Sequence, residues 1–204
     1  MWMVELNNLD LDALKELGNI GAGHAATSLS KLLGRTISMS VPEIRVVRIP
    51  ELSKIIDAEK IVSGTITAFK DPLCKGEGYL YVMFLGDTPK KLISVLCNSD
   101  DFGEYELSAL LEVGNIISSS FCGAMADFLE VEIIPAPPSL AQDYALAVID
   151  AVVSRLAESN DYVFLFEVML RDEHDLLETY IVLIPDIAFF ENVVKMLKRK
   201  VWSI

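Results

Sequence analysis

The sequence predicts an α/β fold, a single domain with an internal duplication around a β-sheet core. Two observations predict it. A segment near the N-terminus recurs in register 96 residues later, and each copy is followed by strand-like runs and a closing helix. With 204 residues, 52% of them hydrophobic, two half-cores would pack together as one domain. We expect that domain to span residues 1–204, with repeat halves at approximately 8–100 and 104–200.

The repeat is clearest in the tripeptide Gly18-Asn19-Ile20, which recurs as Gly114-Asn115-Ile116. Further identities follow at the same offset without a gap, including Glu16 with Glu112 and Pro42 with Pro138. One shared tripeptide would be chance, but a series of identities in one register indicates a duplication.

The secondary-structure pattern repeats as well. Each half begins with a long segment of helical periodicity, 9–34 and 104–130. A short strand and two hairpin-forming runs follow, at 36–41, 60–69 and 78–86 in the first half and 131–136, 161–171 and 178–185 in the second. Each half is predicted to end in a helix, at 88–98 and 187–199, because a proline lies near the start of each segment. Residues 141–160 predict an additional amphipathic helix, with a shorter counterpart around 51–58.

Charge and composition exclude several functional classes. A net charge of −13 and a pI near 4.5 repel nucleic acid and anionic lipid, so neither is expected as a partner. The sequence contains no run of about 18 apolar residues, so no membrane-spanning helix is expected. The acidic N-terminus does not resemble a signal peptide. We therefore expect a cytoplasmic protein. Cys74, Cys97 and Cys122 are interpreted as reduced, buried thiols, and two histidines, His24 and His174, argue against a zinc site.

The repeated helix carries polar side chains on one side. An α-helix rotates by 100° per residue, so these polar side chains fall within about 60° of one another around the helix axis, away from the apolar face. They are Asp12, Glu16 and Asn19 in the first copy and Ser108, Glu112 and Asn115 in the second. From the residues alone, an ordinary solvated helix face remains the competing interpretation.

The glycines of the first copy raise the alternative of a phosphate-binding loop. Such a loop needs its glycines, because backbone N–H groups must approach the ligand. The second copy keeps Glu, Gly, Asn and Ile but has Ile-Ser-Ser where the first has Gly21-Ala22-Gly23. What recurs is a side-chain pair, so the loop is disfavoured. For Gly18 and Gly114 we expect close helix–helix packing instead.

The motif is Asp or Ser, three residues, Glu, two residues, Asn, twenty-two residues, Pro, and it occurs twice, ending at Pro42 and at Pro138. It resembles the signature of the CheC/CheX/FliY family of chemotaxis phosphatases. Two intact copies without an added flagellar-switch domain are typical of the CheC branch. The resemblance implies pseudo-two-fold symmetry and two long exposed motif helices on the domain surface.

The resemblance also implies an activity, the hydrolysis of the aspartyl phosphate on the response regulator CheY. Asn19 and Asn115 would orient the attacking water, and Glu16 and Glu112 would pair with the lysine of CheY. Supporting partner contacts would come from Asp12 and Ser108, while Pro42 and Pro138 would be structural. Mg²⁺ is expected on CheY, so the chain would need no metal or cofactor of its own.

The implied partners are phosphorylated CheY and CheD, a receptor deamidase whose binding raises phosphatase activity in the family. Two alternatives stay open: a non-catalytic adaptor for CheY and CheD, and a structural protein of the flagellar switch. The copies also differ at Lys15 and Leu111 and at Asp12 and Ser108, so two unequal sites are a further hypothesis.

Overall fold

The computed structural model describes residues 7–54, 61–73, 76–156, 162–174 and 177–202. The two halves contain the same elements in almost the same order. The first comprises α1 (Asn8–Leu33), β1 (Ile37–Met39), β2 (Glu43–Arg48), a 3₁₀ helix (Ile49–Lys54), β3 (Ile61–Asp71), β4 (Gly76–Phe84) and α2 (Thr88–Cys97). The second comprises α3 (Glu104–Leu129), β5 (Ile134–Pro135), β6 (Ser139–Tyr144), α4 (Ala145–Leu156), β7 (Tyr162–Asp172), β8 (Glu178–Pro185) and α5 (Ile187–Trp202).

One antiparallel sheet of eight strands joins the halves. Its central order is β7-β8-β4-β3, with β1 and β2 both pairing with the outer edge of β7, and β5 and β6 with the outer edge of β3. The first two strands of each half therefore pair with a strand of the other half. This exchange makes the sheet a single unit, and the predicted α/β fold class is confirmed.

The strand registers obey a pseudo-two-fold axis at the centre of the sheet. Tyr81 of β4 lies opposite Ile66 of β3, and Val182 of β8 lies opposite Glu167 of β7. Tyr81 and Val182 are also paired with each other. Because these two equivalent residues face one another, the axis passes between β4 and β8 at this pair.

Helices cover both faces of the sheet. Residues of α1, α2, α3 and α5 form the larger core with alternate strand residues such as Leu80 and Val82. The intervening residues, including Tyr81, form a second core with α4 and the 3₁₀ helix. This alternation is the period-2 pattern expected for strands buried on both faces. Helices α1 and α3 pack against each other, so each is half-buried and presents only its outer face to solvent.

The long helices and both hairpins lie where the sequence predicts them, but β2 and β6 were missed. Residues 141–144 were expected to begin a helix, which is wrong, because β6 contains them and the helix is Ala145–Leu156. The pairing of β6 with β3, from Ile61 opposite Tyr144 to Ile66 opposite Ser139, satisfies their backbone groups in the sheet. Of the shorter counterpart expected at 51–58, residues 55–58 lie outside the described residues.

Helix α3 is long and apolar enough to cross a membrane by length and composition alone, with a hydropathy of 1.3. Half of that window is buried inside the protein, against α1 and the sheet. Packing in the interior accounts for its apolar character, as in other core helices.

Candidate functional site

The first copy of the motif lies on the outer face of α1. Leu14, Leu17 and Gly18 are buried, whereas Glu16 points to solvent and Asn19 is half-buried. Within the described part of the chain, the side chains of Glu16 and Asn19 form no hydrogen bond or ion pair. A carboxylate and a carboxamide are thus available to a partner one helical turn apart. The exposed carboxylate of Asp12 extends the same face.

The second copy lies on the outer face of α3 and differs in its local hydrogen bonds. Ser108 Oγ donates to the Glu104 carbonyl at 2.7 Å, and Ser119 Oγ donates to Asn115 Oδ1 at 3.3 Å. Glu112 is exposed and makes no such bond with a described residue. The amide nitrogen of Asn115 therefore stays available while its oxygen is partly engaged.

The motif glycines fix the rotation of both helices. A Cβ atom on Gly18 would lie 1.5 Å from Phe166 Cζ, and one on Gly114 would lie 2.0 Å from Thr65 Oγ1. Both neighbours belong to the sheet, so the expectation that these glycines serve helix–helix packing is wrong. Gly21 has that role, since its Cβ would meet the ring of Phe121 on α3 at 3.0 Å. Because each helix contacts the sheet through a glycine, the Glu-Asn face is directed outwards.

A groove accompanies the second copy. It runs between α3 and the segment that leads from β5 into β6. The groove is lined by Ser108, Leu111, Glu112, Asn115, Pro135, Ala136, Pro137 and Pro138. The motif proline therefore forms part of the wall of this site. The sequence had singled out Leu111 only as a difference between the two copies and had not identified residues 135–137 as site residues; the proline-rich run was the available signal.

The corresponding segment of the first copy, residues 39–42, has a different surface. Ser40 bonds to β7, because its N–H donates to the Met169 carbonyl at 2.9 Å and its Oγ accepts from the Met169 N–H at 3.0 Å. Val41 is 76% exposed, whereas Pro42 is buried. Lys15, half-buried, occupies the helix position of Leu111. The two sites share their motif side chains but not their surroundings.

Two other features of the described residues bear on the chemistry. The described residues contain no group of three or more His, Cys, Asp or Glu side chains that could hold a metal ion. Cys97 and Cys122 are free thiols; burial raises the pKa of the Cys122 thiol to about 12, which makes it unreactive. Cys97 is only half-buried, and Cys74 lies outside the described residues.

An apolar cavity of about 40 Å³ lies beneath α1. Gly18, Phe166 and residues of α5 contribute to its lining. It borders the buried side of α1, away from the outward motif side chains.

The CheC-like family model matches this chain twice, at residues 9–45 and 106–141. Each match contains one complete motif, from its first polar residue to its proline. Both halves of the chain are therefore similar to the CheC-like family over their motif regions. The family resemblance predicted from the repeated motif is therefore confirmed.

Individual proteins are similar to this chain in sequence or in fold. The chain is 27% identical over 191 residues to the CheY-P phosphatase CheC of Bacillus subtilis (strain 168), covering 89% of this chain and 90% of that protein. The crystal structure of Thermotoga maritima FliY superposes with a TM-score of 0.71 at 19% identity, covering 97% of this chain and all of that one. FliM in a FliG–FliM complex from H. pylori has the same fold, with a TM-score of 0.65 at 10% identity over 93% of this chain and 100% of that one.

Proposed function

We propose that this protein is a chemotaxis phosphatase that accelerates hydrolysis of the aspartyl phosphate of CheY. The observation that carries the proposal is the twice-repeated pair of outward-facing Glu and Asn side chains, each on a helix oriented by a glycine against the sheet. The name of the B. subtilis relative, CheY-P phosphatase, supports the same activity.

The proposed mechanism places a water molecule in line with the phosphoryl group. Phosphoryl transfer passes through a loose transition state, so positioning the nucleophile contributes more than a strong base does. A carboxamide suits this task because it can accept one hydrogen bond from the water and donate another. In this mechanism Asn19 and Asn115 enter the phosphorylation site of CheY and orient the water there.

The glutamates position the partner. Glu16 and Glu112 form charge-assisted bonds with the active-site lysine of CheY, and Asp12 and Ser108 add contacts around them. These motif side chains include no cation, and the whole protein carries a charge of −13. The lysine and Mg²⁺ that balance the phosphoryl group would therefore come from CheY, and the chain would use no cofactor of its own. Pro42 and Pro138 shape the segment beside each motif helix.

Regulation by CheD is a further part of the proposal, supported by the family resemblance. CheD binding is expected to raise the phosphatase rate, and both partners are expected to meet this chain in the cytoplasm. Adding CheD to the reaction described below tests this, since an unchanged rate would remove CheD from the proposal.

A non-catalytic binding protein is the second candidate. It is favoured by the FliG–FliM complex, in which a protein of the same fold is part of an assembly. The intact Glu-Asn pair in both copies favours the enzyme, because a purely structural surface has no need of a repeated carboxamide.

The decisive experiment measures phosphate release from phosphorylated CheY with the wild-type protein and with the Asn19→Ala/Asn115→Ala variant. The variant is expected to lose on the order of 10²-fold in rate acceleration while still binding CheY, because it cannot hold the water in line. Asp127→Ala, an exposed change on α3 away from the motif, serves as the control.

One outcome would reject the enzyme, and a second would reject the proposed mechanism. Binding without acceleration by the wild type would leave the adaptor, and full acceleration by the double variant would remove the asparagines from the mechanism. A free small phosphoester supplies neither the lysine nor the Mg²⁺ of CheY. We therefore expect no hydrolysis of p-nitrophenyl phosphate, and rapid hydrolysis would contradict the mechanism.

A further inference from the structure

The two sites present equal charge to a partner. The first copy offers Asp12, Lys15 and Glu16 on its outer turn, and their formal charges sum to about −1 at neutral pH. The second copy offers Ser108, Leu111 and Glu112, with the same sum. The formal sum over these side chains therefore does not distinguish the sites, which differ in whether the central position carries an ammonium group, at Lys15, or an apolar side chain, at Leu111.

The groove wall of the second site is apolar and exposes almost no hydrogen-bond donors. Pro135, Pro137 and Pro138 have no backbone N–H, and the N–H of Ala136 donates to the Ala68 carbonyl at 2.8 Å. Leu111 faces this wall from α3. Prolines also restrict the backbone, so the groove is organised before a partner arrives.

Glu112 and Asn115 line the same groove. A cation on the occupant would pair with Glu112, and an apolar group would suit the proline wall, which has almost no free hydrogen-bond donor. The occupant that combines both is a protein surface with a lysine and an adjacent apolar side chain. In the proposed function, this is the surface of CheY around its phosphorylated aspartate.

The first site does not offer the same groove surface. Lys15 stands at the position of Leu111, and the polar Ser40 stands at the position of Ala136. A partner's apolar side chain would meet an ammonium group there, which must be desolvated before contact.

We propose that Leu111 and the proline wall of residues 135–138 form an apolar socket for a CheY side chain, so that the second site binds phosphorylated CheY more tightly than the first. The residue at positions 15 and 111 then sets the difference in affinity between the sites, while Asn19 and Asn115 act in catalysis. This inference rests on the proposed function, because it assigns CheY as the occupant.

The test exchanges the two residues in proteins that retain one open site. Glu16→Lys closes the first site and Glu112→Lys closes the second, because each places a cation against the lysine of CheY. With the first site closed, Leu111→Lys is expected to raise both the KM for phosphorylated CheY and the Kd for beryllofluoride-activated CheY about tenfold. The kcat should stay within about twofold, since Asn115 is untouched.

The reciprocal change gives the matched comparison. With the second site closed, Lys15→Leu is expected to lower KM and Kd at the first site. Leu111→Met, which keeps an apolar side chain of similar volume, should leave both near the parent values. All three side chains suit a helix, so circular dichroism should report unchanged folding.

The outcomes separate this inference from the proposed function. Equal Kd values for the two single-site proteins, or a Leu111→Lys effect confined to kcat, would overturn the socket. If the wild type and both single-site proteins fail to accelerate phosphate release, the phosphatase proposal fails, and the Kd values for activated CheY alone still decide whether the socket exists.

Discussion

The two motif helices present the same outer face but rest on different interiors. Helix α1 contacts the sheet through Gly18 against the aromatic ring of Phe166. Helix α3 makes the equivalent contact through Gly114 against Thr65, whose buried Oγ1 has no partner among the described residues. One turn further along α3, Ser118 Oγ accepts a hydrogen bond from Thr67 Oγ1 at 3.1 Å. After duplication the outward Glu-Asn pattern was retained while the contacts beneath it diverged.

The largest expected difference follows from filling the two glycine positions. Gly18→Ala and Gly114→Ala should each lower the free energy of unfolding, by about 1–3 kcal/mol. Gly114→Ala should cost more. The new methyl group would meet the whole Thr65 side chain, including Cβ at 2.7 Å, whereas at Gly18 it would meet the tip of a longer side chain. The Phe166 ring can shift towards the apolar cavity of about 40 Å³ that it borders.

Urea titration of both variants measures this difference. Thr65→Ala added to Gly114→Ala should recover part of the loss, because it removes Oγ1 and Cγ2 from the clash. A larger cost at Gly18 than at Gly114 would contradict the comparison.

The two buried threonines beneath α3 should respond with opposite signs. Thr65→Val replaces a hydroxyl without a partner among the described residues by a methyl group, and should raise the free energy of unfolding by about 1 kcal/mol. Thr67→Val removes the donor to Ser118 and should lower it by a similar amount. Thermal denaturation of both variants provides the measurement, and shifts of the same sign would disprove this account of the polar interior.

The smallest expected effects lie on the outer face. Gly23 of α1 and Gly123 of α3 both have open space where a Cβ would be, with no atom within 4 Å. Alanine at either position should therefore stabilise the fold by about 0.5–1 kcal/mol, because glycine loses more backbone entropy in a helix. Denaturant midpoints should rise for both variants. A fall in either would reveal a packing contact that the described residues do not show.

Helical periodicity and turn residues predicted most of the fold, because those signals are local. The long helices, both hairpins and the closing helices depend on contacts between residues near in sequence. Strands β2 and β6 were missed, although β1 and β5, which pair with the same strands β7 and β3, were predicted. A six-residue edge strand has little local pattern of its own, and residues 141–144 continue smoothly into an amphipathic helix.

The same limit applies to the candidate site. Repetition singled out Glu16, Asn19, Glu112 and Asn115, and the structure places all four on outer helix faces. Their catalytic roles stay predictions. The sequence could not show that Gly18 and Gly114 face the sheet. A glycine in a helix indicates that a neighbouring element packs closely, but it does not identify that element. The groove was missed for a related reason, since Leu111 meets its wall only once β5 has paired with β3.

The exchange of strands between the halves has a consequence for synthesis on the ribosome. Strand β1 pairs with β7, and the partners Ile37 and Asp172 are separated by most of the chain. At about 5–20 residues per second, β1 and β2 wait on the order of 10 s for β7 to be made. During that interval the nascent chain can form α1 and the β3–β4 hairpin, and β5 and β6 can cover the outer edge of β3, but the edge of β4 that pairs with β8 stays uncovered. A ribosome stalled before residue 162 would therefore hold a chain with exposed strand edges, which is a natural substrate for chaperones.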